Sequence, residues 1–442
     1  MIIHNATIVN EGERFAGSLI VRDGLIAGIL RGTDCPPGEE MVDATGCFLL
    51  PGVIDDHVHM REPGLTYKGD MDSETRAAAA GGVTTVLDMP NVIPPTTSLD
   101  LLEERYRLAS ERCHVNFGFY LGATCDNLDH IRRIDPTLVP GVKLFMGSST
   151  GNMLVDDGEA LTAIFRSCPT LLVAHCEDTA RINRRMAEAQ ALYGDDPDII
   201  HHPDIRDRVA CLQSTRMAVG LARETGARLH VAHVTTRDEL ELFTPDSFRV
   251  TAEACVAHLL WCREDYGRLG SLIKCNPAIK EQSDRDALRL ALTDGRIRVV
   301  ATDHAPHLLG EKRGGCRRAM SGMPMVQFSL PSMLGLVDEG ILTLERMVQL
   351  MCHNPASLLR IDRRGYLRHG YHADLVLVRP HSPWQVTADC IQSKCGWSPR
   401  LGDTLSWRVE RTWVNGELVW DGHRVHPDVL GLPLRIDCRG HA

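Results

Sequence analysis

Short apolar runs rich in β-branched residues alternate with longer amphipathic segments through the middle of this 442-residue chain. The runs predict strands, and the segments between them carry apolar residues at helical spacing. The predicted strands span residues 48–59, 82–90, 115–122, 141–146, 170–177, 227–235, 248–255 and 296–304. Predicted helices include residues 98–112, 159–166, 207–225 and 283–293. Eight strands with interleaved helices predict an α/β fold, a (β/α)8 TIM barrel.

A doubly wound open sheet is the alternative arrangement of alternating strands and helices. That fold would place a glycine-rich phosphate turn after the first strand. This chain instead has the sequence D-D-H-V-H at residues 55–59. The pattern therefore favours the barrel.

The two ends of the chain carry short strands joined by turn signals. Asp23-Gly24 lies near the start, and Asn415-Gly416 separates two alternating runs near the end. Asn-Gly between such runs is a strong hairpin signal. We predict a small β-sandwich domain built from both termini, residues 1–50 and 365–442. The barrel at residues 51–364 would be inserted between its two parts.

Charge and composition exclude several classes of partner. The net charge is -10 and no Lys/Arg-rich block is present, which argues against nucleic acid as a partner. The N-terminus lacks signal-peptide features, and no apolar run approaches the ~20 residues that span a membrane. The fifteen cysteines form no C-x-x-C pair, as expected for reduced thiols. We expect a cytoplasmic protein that does not bind membranes.

Two histidines at the end of the first barrel strand indicate a metal site. His57 and His59 lie two positions apart, so on a strand both side chains point to the same face. Arg61 continues this parity and would bring an anion-binding guanidinium to the edge of the metal. The alternative is a pair of histidines on a solvated strand.

Further candidate residues fall at the same edge of the predicted barrel, where chemistry collects in this fold. They are Asn91, Lys143, His175, His233, Asp303 and His307. Four imidazoles and a carboxylate suit Zn²⁺ better than Ca²⁺ or Mg²⁺, and they are too many for one tetrahedral ion with an open position. Two ions need a bridging anion, which Lys143 supplies if its amine has condensed with carbon dioxide. The alternative is a buried lysine paired with a carboxylate.

The other histidines are predicted to be structural. His230 and His233 are three residues apart, so they point to opposite faces of a strand. His233 lies nearer the strand end and is the predicted ligand, whereas His230 belongs to the core. Three further histidines, at positions 201, 202 and 258, are assigned to the structure or the surface.

Seven motifs give the chain a recognisable family resemblance. They are H-V-H-M-R-E-P-G (57–64), D-M-P-N (88–91), K-L-F-M-G-S-S-T-G-N (143–152), H-V-T-T (233–236), K-C-N-P-A-I-K (274–280), A-T-D-H-A-P-H (301–307) and S-K-C-G-W-S-P (393–399). The chain resembles the amidohydrolase superfamily and, within it, the dihydroorotases. The H-x-H pair and barrel lysine are shared with hydantoinases and allantoinases, while R-E-P-G and D-H-A-P-H are narrower dihydroorotase signals.

The resemblance implies a binuclear zinc site. One ion would be held by His57, His59 and Asp303. The other would be held by His175 and His233. Carboxylated Lys143 would bridge the two ions.

The resemblance also implies a reaction, the reversible hydrolysis of L-dihydroorotate to N-carbamoyl-L-aspartate in de novo pyrimidine biosynthesis. Asp303 would act as general base and then as general acid. Arg61, Asn91 and His307 would bind the substrate carboxylate, and Asn276 would contact the ring amide. The chain has N-P-A-I-K where the family more often has N-P-P-L-R, a difference that bears on the ring contacts and not on the reaction.

Other functions stay open at this point. The chain could be a hydantoinase or an allantoinase, or a non-catalytic scaffold for a partner enzyme such as a transcarbamoylase. A homodimer is expected from the resemblance. Residues 308–323, with Gly310, Gly314, Gly315 and four basic residues among them, are either a mobile lid or a solvated loop.

Overall fold

The computed structural model describes residues 1–32, 40–147, 153–245 and 247–437. The strands are β1 (Ile2–Asn10), β2 (Glu13–Arg22), β3 (Leu25–Arg31), β4 (Met41–Asp43), β5 (Phe48–Pro51), β6 (Val53–Val58), β7 (Val83–Asp88), β8 (Asn116–Phe119), β9 (Leu121–Gly122), β10 (Gly141–Phe145), β11 (Leu171–His175), β12 (Leu229–Val231), β13 (Val250–Cys255), β14 (Ile297–Ala301), β15 (Leu375–Arg379), β16 (Trp384–Gln385), β17 (Thr404–Leu405), β18 (Arg408–Val414) and β19 (Glu417–Trp420).

Helices lie between most of the central strands. They are α1 (Met71–Ala80), α2 (Leu99–Ser110), α3 (Leu128–Arg132), α4 (Gly158–Ser167), α5 (Thr179–Tyr193), α6 (His202–Ile205), α7 (Arg208–Thr225), α8 (Arg237–Leu240), α9 (Val256–Leu260), α10 (Tyr266–Leu269), α11 (Gln282–Asp294), α12 (Ser329–Asp338), α13 (Leu344–Val348) and α14 (Asn354–Leu359). A π-helical turn, Gln349–His353, joins α13 to α14. Among these helices, none has the length and apolar character that crossing a bilayer requires.

The central strands form a closed parallel barrel. Strands β6, β7 and β8 pair in order, and β9 to β14 pair in order. β8 and β9 are halves of one strand, interrupted at Tyr120. The ring closes where Val58, at the end of β6, bridges His304 after β14, and the His59 amide donates to the His304 carbonyl at 2.7 Å. The predicted (β/α)8 barrel is therefore confirmed.

Both ends of the chain contribute to a second sheet. Its strand order is β19-β18-β15-β5-β1-β2-β3, with β4 pairing β1. Ile3, Leu19, Leu49 and Trp413, from both ends of the chain, share one buried cluster beneath this sheet. The β domain predicted from both termini is confirmed, while the residue boundaries between the two domains stay a prediction.

The two predicted hairpin turns have the expected backbone. Asn415 and Gly416 join β18 to β19 with φ of 51° and 84°. Asp23 and Gly24 join β2 to β3 with φ of 51° and 75°. Successive positive φ values are what a type I′ turn requires, and Asn, Asp and Gly adopt them at the lowest cost.

The predicted strand at residues 48–59 proves to be two strands. The chain leaves β5 in the terminal sheet and enters β6 in the barrel at Gly52. A Cβ atom at Gly52 would lie 2.1 Å from Oγ1 of Thr84, so the threonine side chain occupies the space that any side chain at residue 52 would need. Hydrophobic periodicity could not reveal this break, because both strands are buried and apolar.

Replacing Gly52 with alanine tests this close approach. Overpacking against Thr84 should destabilise the fold by about 1–3 kcal/mol. Gly335→Ala is the matched control, because Gly335 lies within α12 with no atom near its missing Cβ. The control should be neutral or stabilising by up to about 1 kcal/mol. Denaturant unfolding of both variants measures the difference, and equal stabilities would show that Gly52 is not constrained.

Candidate metal centre

The predicted metal ligands gather at one end of the barrel. His57 lies in β6 and His59 just beyond it, and His175 is the last residue of β11. His233 and Asp303 each lie two residues past the end of a strand, β12 and β14 respectively. All except Asp303 are buried, and Asp303 is only partly exposed. The barrel therefore brings together side chains that are up to 246 positions apart in the sequence, counting from residue 57 to residue 303.

Asp303 lies between the two histidines of the H-x-H pair. Its Oδ1 is 2.9 Å from Nε2 of His59 and 3.4 Å from Nε2 of His57. One ligand atom each from His57, His233 and Asp303 lies within 4.8 Å of the others. Two imidazole nitrogens and one carboxylate oxygen converging in this way fit a borderline metal ion such as zinc.

A second pair of histidines adjoins this group. Nδ1 of His175 lies 2.9 Å from Nε2 of His233. The ring of His233 is also 5.3 Å from the ring of His57, so the two groups share one volume. Burial lowers the pKa of both His175 and His233, and it lowers the pKa of His59 to about 4. Neutral imidazoles have the free lone pairs that metal binding requires.

Lys143 lies in the middle of β10 with its amine unsatisfied. Its side chain is 1% exposed, and within the described ranges Nζ has no hydrogen-bond partner. Burial lowers the pKa of this lysine. An ammonium ion would repel metal ions bound by the adjacent histidines, so the amine fits this position only when it is neutral or chemically modified. The remaining residues of its motif, 148–152, lie outside the described residues.

Two carboxylates that sequence reasoning missed orient the histidines. Oε1 of Glu253 lies 3.0 Å from Nδ1 of His57 and accepts the backbone amide of His233 at 3.0 Å. Oε2 of Glu177 lies 2.9 Å from Nε2 of His175 and also pairs with Arg206. Carboxylates of this kind fix the tautomer and angle of a ligand histidine.

The sequence did contain a signal for both carboxylates. Glu253 interrupts the apolar strand V-T-A-E-A-C, and Glu177 lies two residues past His175. A charged side chain in a fully buried strand requires a specific partner. What the sequence could not supply was the identity of that partner.

The remaining histidines have structural contacts. His230 is fully buried, with Nδ1 2.8 Å from Oγ1 of Thr251. His202 and His258 are buried with Nε2 3.0 Å from a backbone carbonyl, and His201 stacks on Tyr193. The core position of His230 is confirmed.

A positively charged group borders the metal ligands. Nη2 of Arg61 lies 3.1 Å from Nε2 of His307, and Nζ of Lys68 lies 3.1 Å from Nδ1 of the same ring. Burial lowers the pKa of His307, and the neighbouring Arg61 and Lys68 lower it further. Burial also lowers the pKa of Lys68 to about 8. We call Arg61, Lys68 and the neutral His307 between them the cationic group, after its two charged members; it is suited to binding a carboxylate.

Lys68 was not predicted from the sequence. It lies in the irregular segment between β6 and α1, where no hydrophobic periodicity predicts the direction of its side chain. Its closest carboxylate is that of Glu311, at 3.8 Å. Glu311 also lies 3.6 Å from Nδ1 of His307, so one carboxylate of the chain faces both residues.

The two predicted asparagines present unpartnered oxygens. Oδ1 of Asn91, beyond β7, and Oδ1 of Asn276 are buried without a hydrogen-bond partner among the described residues. Asn276 follows Lys274, whose carbonyl accepts from the amide of Gly322. The carbonyl of Ser321, next to Gly322, lies 3.0 Å from Nε2 of His307. Substrate contacts by Asn91 and Asn276 stay predictions.

Two buried lysines hold the predicted lid segment, 308–323. Nζ of Lys312 donates to the carbonyls of Lys274, Met320 and Gly322 at 2.7–3.1 Å. Nζ of Lys274 donates to the carbonyl of Cys316 at 2.8 Å. The segment is thus anchored in this conformation, and its opening stays a prediction.

Comparisons with known proteins agree with this geometry. The model of the Amidohydrolase family matches residues 48–419. The chain belongs to the amidohydrolase family. Its relatives include a dihydroorotase of Halobacterium salinarum, 36% identical over 396 residues that cover 88% of this chain and 90% of the relative. An allantoinase of Streptomyces avermitilis is 31% identical over 431 residues, covering 95% of each chain.

Solved structures show the same architecture for this amidohydrolase. An L-hydantoinase (dihydropyrimidinase) from Arthrobacter aurescens superposes with a TM-score of 0.92 at 28% identity. The alignment covers 98% of this chain and 99% of the hydantoinase. The fold is therefore shared along nearly the whole length, and substrate choice must depend on side chains around the site.

Glu253→Gln tests the orientation of His57. The amide keeps the shape of the side chain but removes the charge that holds the imidazole, so metal affinity should fall by about 10- to 100-fold. Competition with a chelator measures this affinity. Glu239→Gln is the control, because Glu239 is equally buried but bonds Thr215 and Thr236 instead of a candidate ligand. Unchanged affinity in Glu253→Gln would remove this carboxylate from the metal centre.

Proposed function

We propose that this amidohydrolase is a zinc-dependent dihydroorotase, which interconverts L-dihydroorotate and N-carbamoyl-L-aspartate in pyrimidine biosynthesis. The observation that carries the proposal is the cationic group beside the metal ligands. Arg61 lies two residues past His59, and His307 lies four residues past Asp303. A substrate ring that bears a carboxylate could place a carbonyl at the metal ligands and its carboxylate at the cationic group at the same time.

Two zinc ions would occupy the centre. His57, His59 and Asp303 would hold one ion, and His175 and His233 the other. When bound, such ions supply hydroxide near neutral pH and polarise the carbonyl to be cleaved. The support is the donor set itself, which comprises four histidines, a carboxylate and an unsatisfied buried amine.

Lys143 would bridge the ions as a carbamate. Its neutral amine would attack carbon dioxide, forming an N–C bond and releasing one proton, so that a neutral group becomes an anion. The orphaned position of Nζ supports this assignment. Without the modification, the centre would lack a bridging anion and would contain a buried amine with no partner.

Arg61 would bind and orient the substrate through its α-carboxylate. Nε of Arg61 already donates to the carbonyl of Pro306 at 3.0 Å, which fixes the plane of the guanidinium. His307 would add a contact, and Lys68 would raise the local positive potential. Anchoring the carboxylate determines which ring carbonyl faces the metals. Asn91 and Asn276 would accept or donate hydrogen bonds at the carboxylate and the ring amide.

Asp303 would carry the proton. Burial alone would raise its pKa, but His57 and His59 hold the pKa of this carboxyl below its ordinary value. An ionised Oδ1 can accept a proton from the attacking water as the new C–O bond forms. It would return that proton to the ring nitrogen as the C–N bond breaks.

A hydantoinase or allantoinase is the second candidate function. The structural likeness to an L-hydantoinase and the sequence likeness to an allantoinase favour it. Rings without a carboxylate would, however, bring no anion to the guanidinium of Arg61. A non-catalytic scaffold is less well supported, because all six predicted ligands are present.

The cellular context is also part of the proposal. We expect a cytoplasmic enzyme that binds a small-molecule substrate and forms a homodimer. An association with a transcarbamoylase would be compatible with a scaffolded pathway. Neither the dimer nor this association is needed for the chemistry described above.

Arg61→Lys distinguishes the two candidate functions. A lysine keeps the charge but cannot form the guanidinium fork, which contributes roughly 1.5–3 kcal/mol to a buried carboxylate contact. The kcat/KM for dihydroorotate should therefore fall about tenfold to a few hundredfold, with metal content unchanged. Turnover of hydantoin should hardly change. Arg107→Lys, on the exposed side of α2, is the control. Equal losses on both substrates would contradict the dihydroorotase assignment.

Lys143→Ala tests the bridging carbamate. Loss of the bridge should remove most bound metal and activity, because the remaining ligands hold like-charged ions close together. Short carboxylic acids such as acetate should partly restore both by occupying the bridging position. Metal analysis and activity assays with and without acetate measure this. A variant that retains two metal ions and near-normal turnover would show that Lys143 is not the bridge.

A further inference from the structure

A cavity of about 560 Å³ lies near the start of β13, away from the metal centre. Its wall comes mainly from the residues that follow α14, together with Phe248 ahead of β13. The charged residues in the wall are Arg360, Arg363, Arg364, Arg368, Asp362 and Asp437. Four arginines against two aspartates give a positive wall in a chain whose net charge is -10. This reversal of the average charge favours an anionic ligand.

Three of the four arginines have carboxylate partners. Arg363 pairs with Asp362 at 3.2 Å. Arg364 forms a buried pair with Asp374, and Arg368 pairs with Glu11. Arg360 differs from them, because no carboxylate of the described chain lies within ion-pair distance of its guanidinium. It is exposed and stands at the end of α14 with φ of 56°.

Two more arginines without carboxylate partners lie nearby: Arg228 lies beside Arg360, and Arg249 lies beside Arg228. Arg228 directly precedes β12 and shares a smaller cavity of about 210 Å³ with Arg360. Arg249 directly precedes β13. Arg228 donates to the carbonyl of Leu358 and Arg249 to that of Gly226. In the part of the chain that the structure describes, neither has an ion-pair partner.

The positive charges of the arginines around Arg228 repel one another. Burial, together with the nearby charges of Arg360 and Arg249, lowers the pKa of Arg228 to about 10. Like charges held together in a partly buried place are stabilised when an anion binds among them. The guanidinium fork matches the geometry of a phosphate group.

An exposed aromatic ring stands at the same cavity. Phe248 is 70% exposed, and the guanidinium of Arg298 lies 4.8 Å from its ring centre. The wall contains two further rings. Tyr366 stacks on His353 at 4.4 Å and has the guanidinium of Arg368 at 4.2 Å. Tyr371 is partly buried and has the same guanidinium 5.6 Å from its ring centre. Phe248 is therefore the ring that offers a face for stacking.

We propose that this cavity binds a nucleoside phosphate, with Arg360 and its neighbouring arginines holding the phosphate and Phe248 stacking on the base. A site of this volume falls in the range of roughly 300–1,000 Å³ that small-molecule sites occupy. The residues lie at the amino-terminal ends of β12 and β13, whereas the metal ligands lie at the opposite ends. Strands of this length separate the cavity from the metal ligands by roughly 15–20 Å. Binding at the cavity is therefore independent of the proposed dihydroorotase activity.

Calorimetric titration of the intact metal-loaded protein tests the site. The probes are AMP and UMP, the corresponding nucleosides, and inorganic phosphate. The nucleotides should bind saturably with one site per chain. The nucleosides and inorganic phosphate should each bind at least about tenfold more weakly, because each makes only one of the two contacts.

Two variants locate the binding. Arg360→Gln should raise the Kd for the nucleotides at least about tenfold. Phe248→Ala should weaken nucleotide binding but leave the weak binding of inorganic phosphate unchanged. Both side chains are exposed, so the fold should tolerate the changes, as thermal unfolding would verify. Arg216→Gln, on the exposed face of α7, is the matched control and should bind like the unmodified protein.

Several results would overturn the proposal. One is the absence of saturable nucleotide binding up to about 1 mM. Another is an equal Kd in Arg360→Gln and the unmodified protein, which would place binding elsewhere. Inorganic phosphate binding as tightly as the nucleotides, with no effect of Phe248→Ala, would show a simple anion site instead.

Discussion

The closure of the barrel between its first and last strands is the constraint on which the metal centre depends. Asp55, buried in β6, accepts hydrogen bonds from the backbone amide and the hydroxyl of Thr302, after β14, at 3.2 and 2.6 Å. Two residues past Asp55 is His57, and next to Thr302 is Asp303. The contact therefore fixes the distance between ligands at opposite ends of the barrel sequence. The positions of the candidate metal ligands therefore depend on this contact between the first and last strands.

Charge balance then shapes the surroundings of the centre. Burial raises the pKa of Asp55 to about 6 and raises that of Asp56 well above its ordinary value, while Glu253 is stabilised as an anion by His57. Acidic groups thus lie beneath the ligands, and the cationic group of Arg61, Lys68 and His307 lies beside them. The candidate metal ligands therefore lie between an acidic floor and a basic edge, an arrangement that suits the anionic substrate proposed above.

Much of this arrangement could be predicted from the sequence, because barrel folds place chemistry at strand ends. The parity of His57 and His59, and the positions of His175 and Asp303 after apolar runs, followed from periodicity alone. The break at Gly52 could not be predicted, since it depends on the distance to Thr84 across the fold. Glu253 and Lys68 were missed for a similar reason. The sequence does not show where a single charged side chain points, because that depends on the position of its partner in the fold.

Substrate preference of the unmodified protein tests the central claim most directly. The claim is that the cationic group selects a cyclic amide with a carboxylate. Steady-state kinetics of one metal-loaded preparation on L-dihydroorotate, hydantoin and allantoin would compare kcat/KM values under the same conditions. The account predicts that dihydroorotate is preferred by at least about tenfold, the contribution of one charge-assisted contact. An equal or greater kcat/KM for either uncharged ring would contradict it.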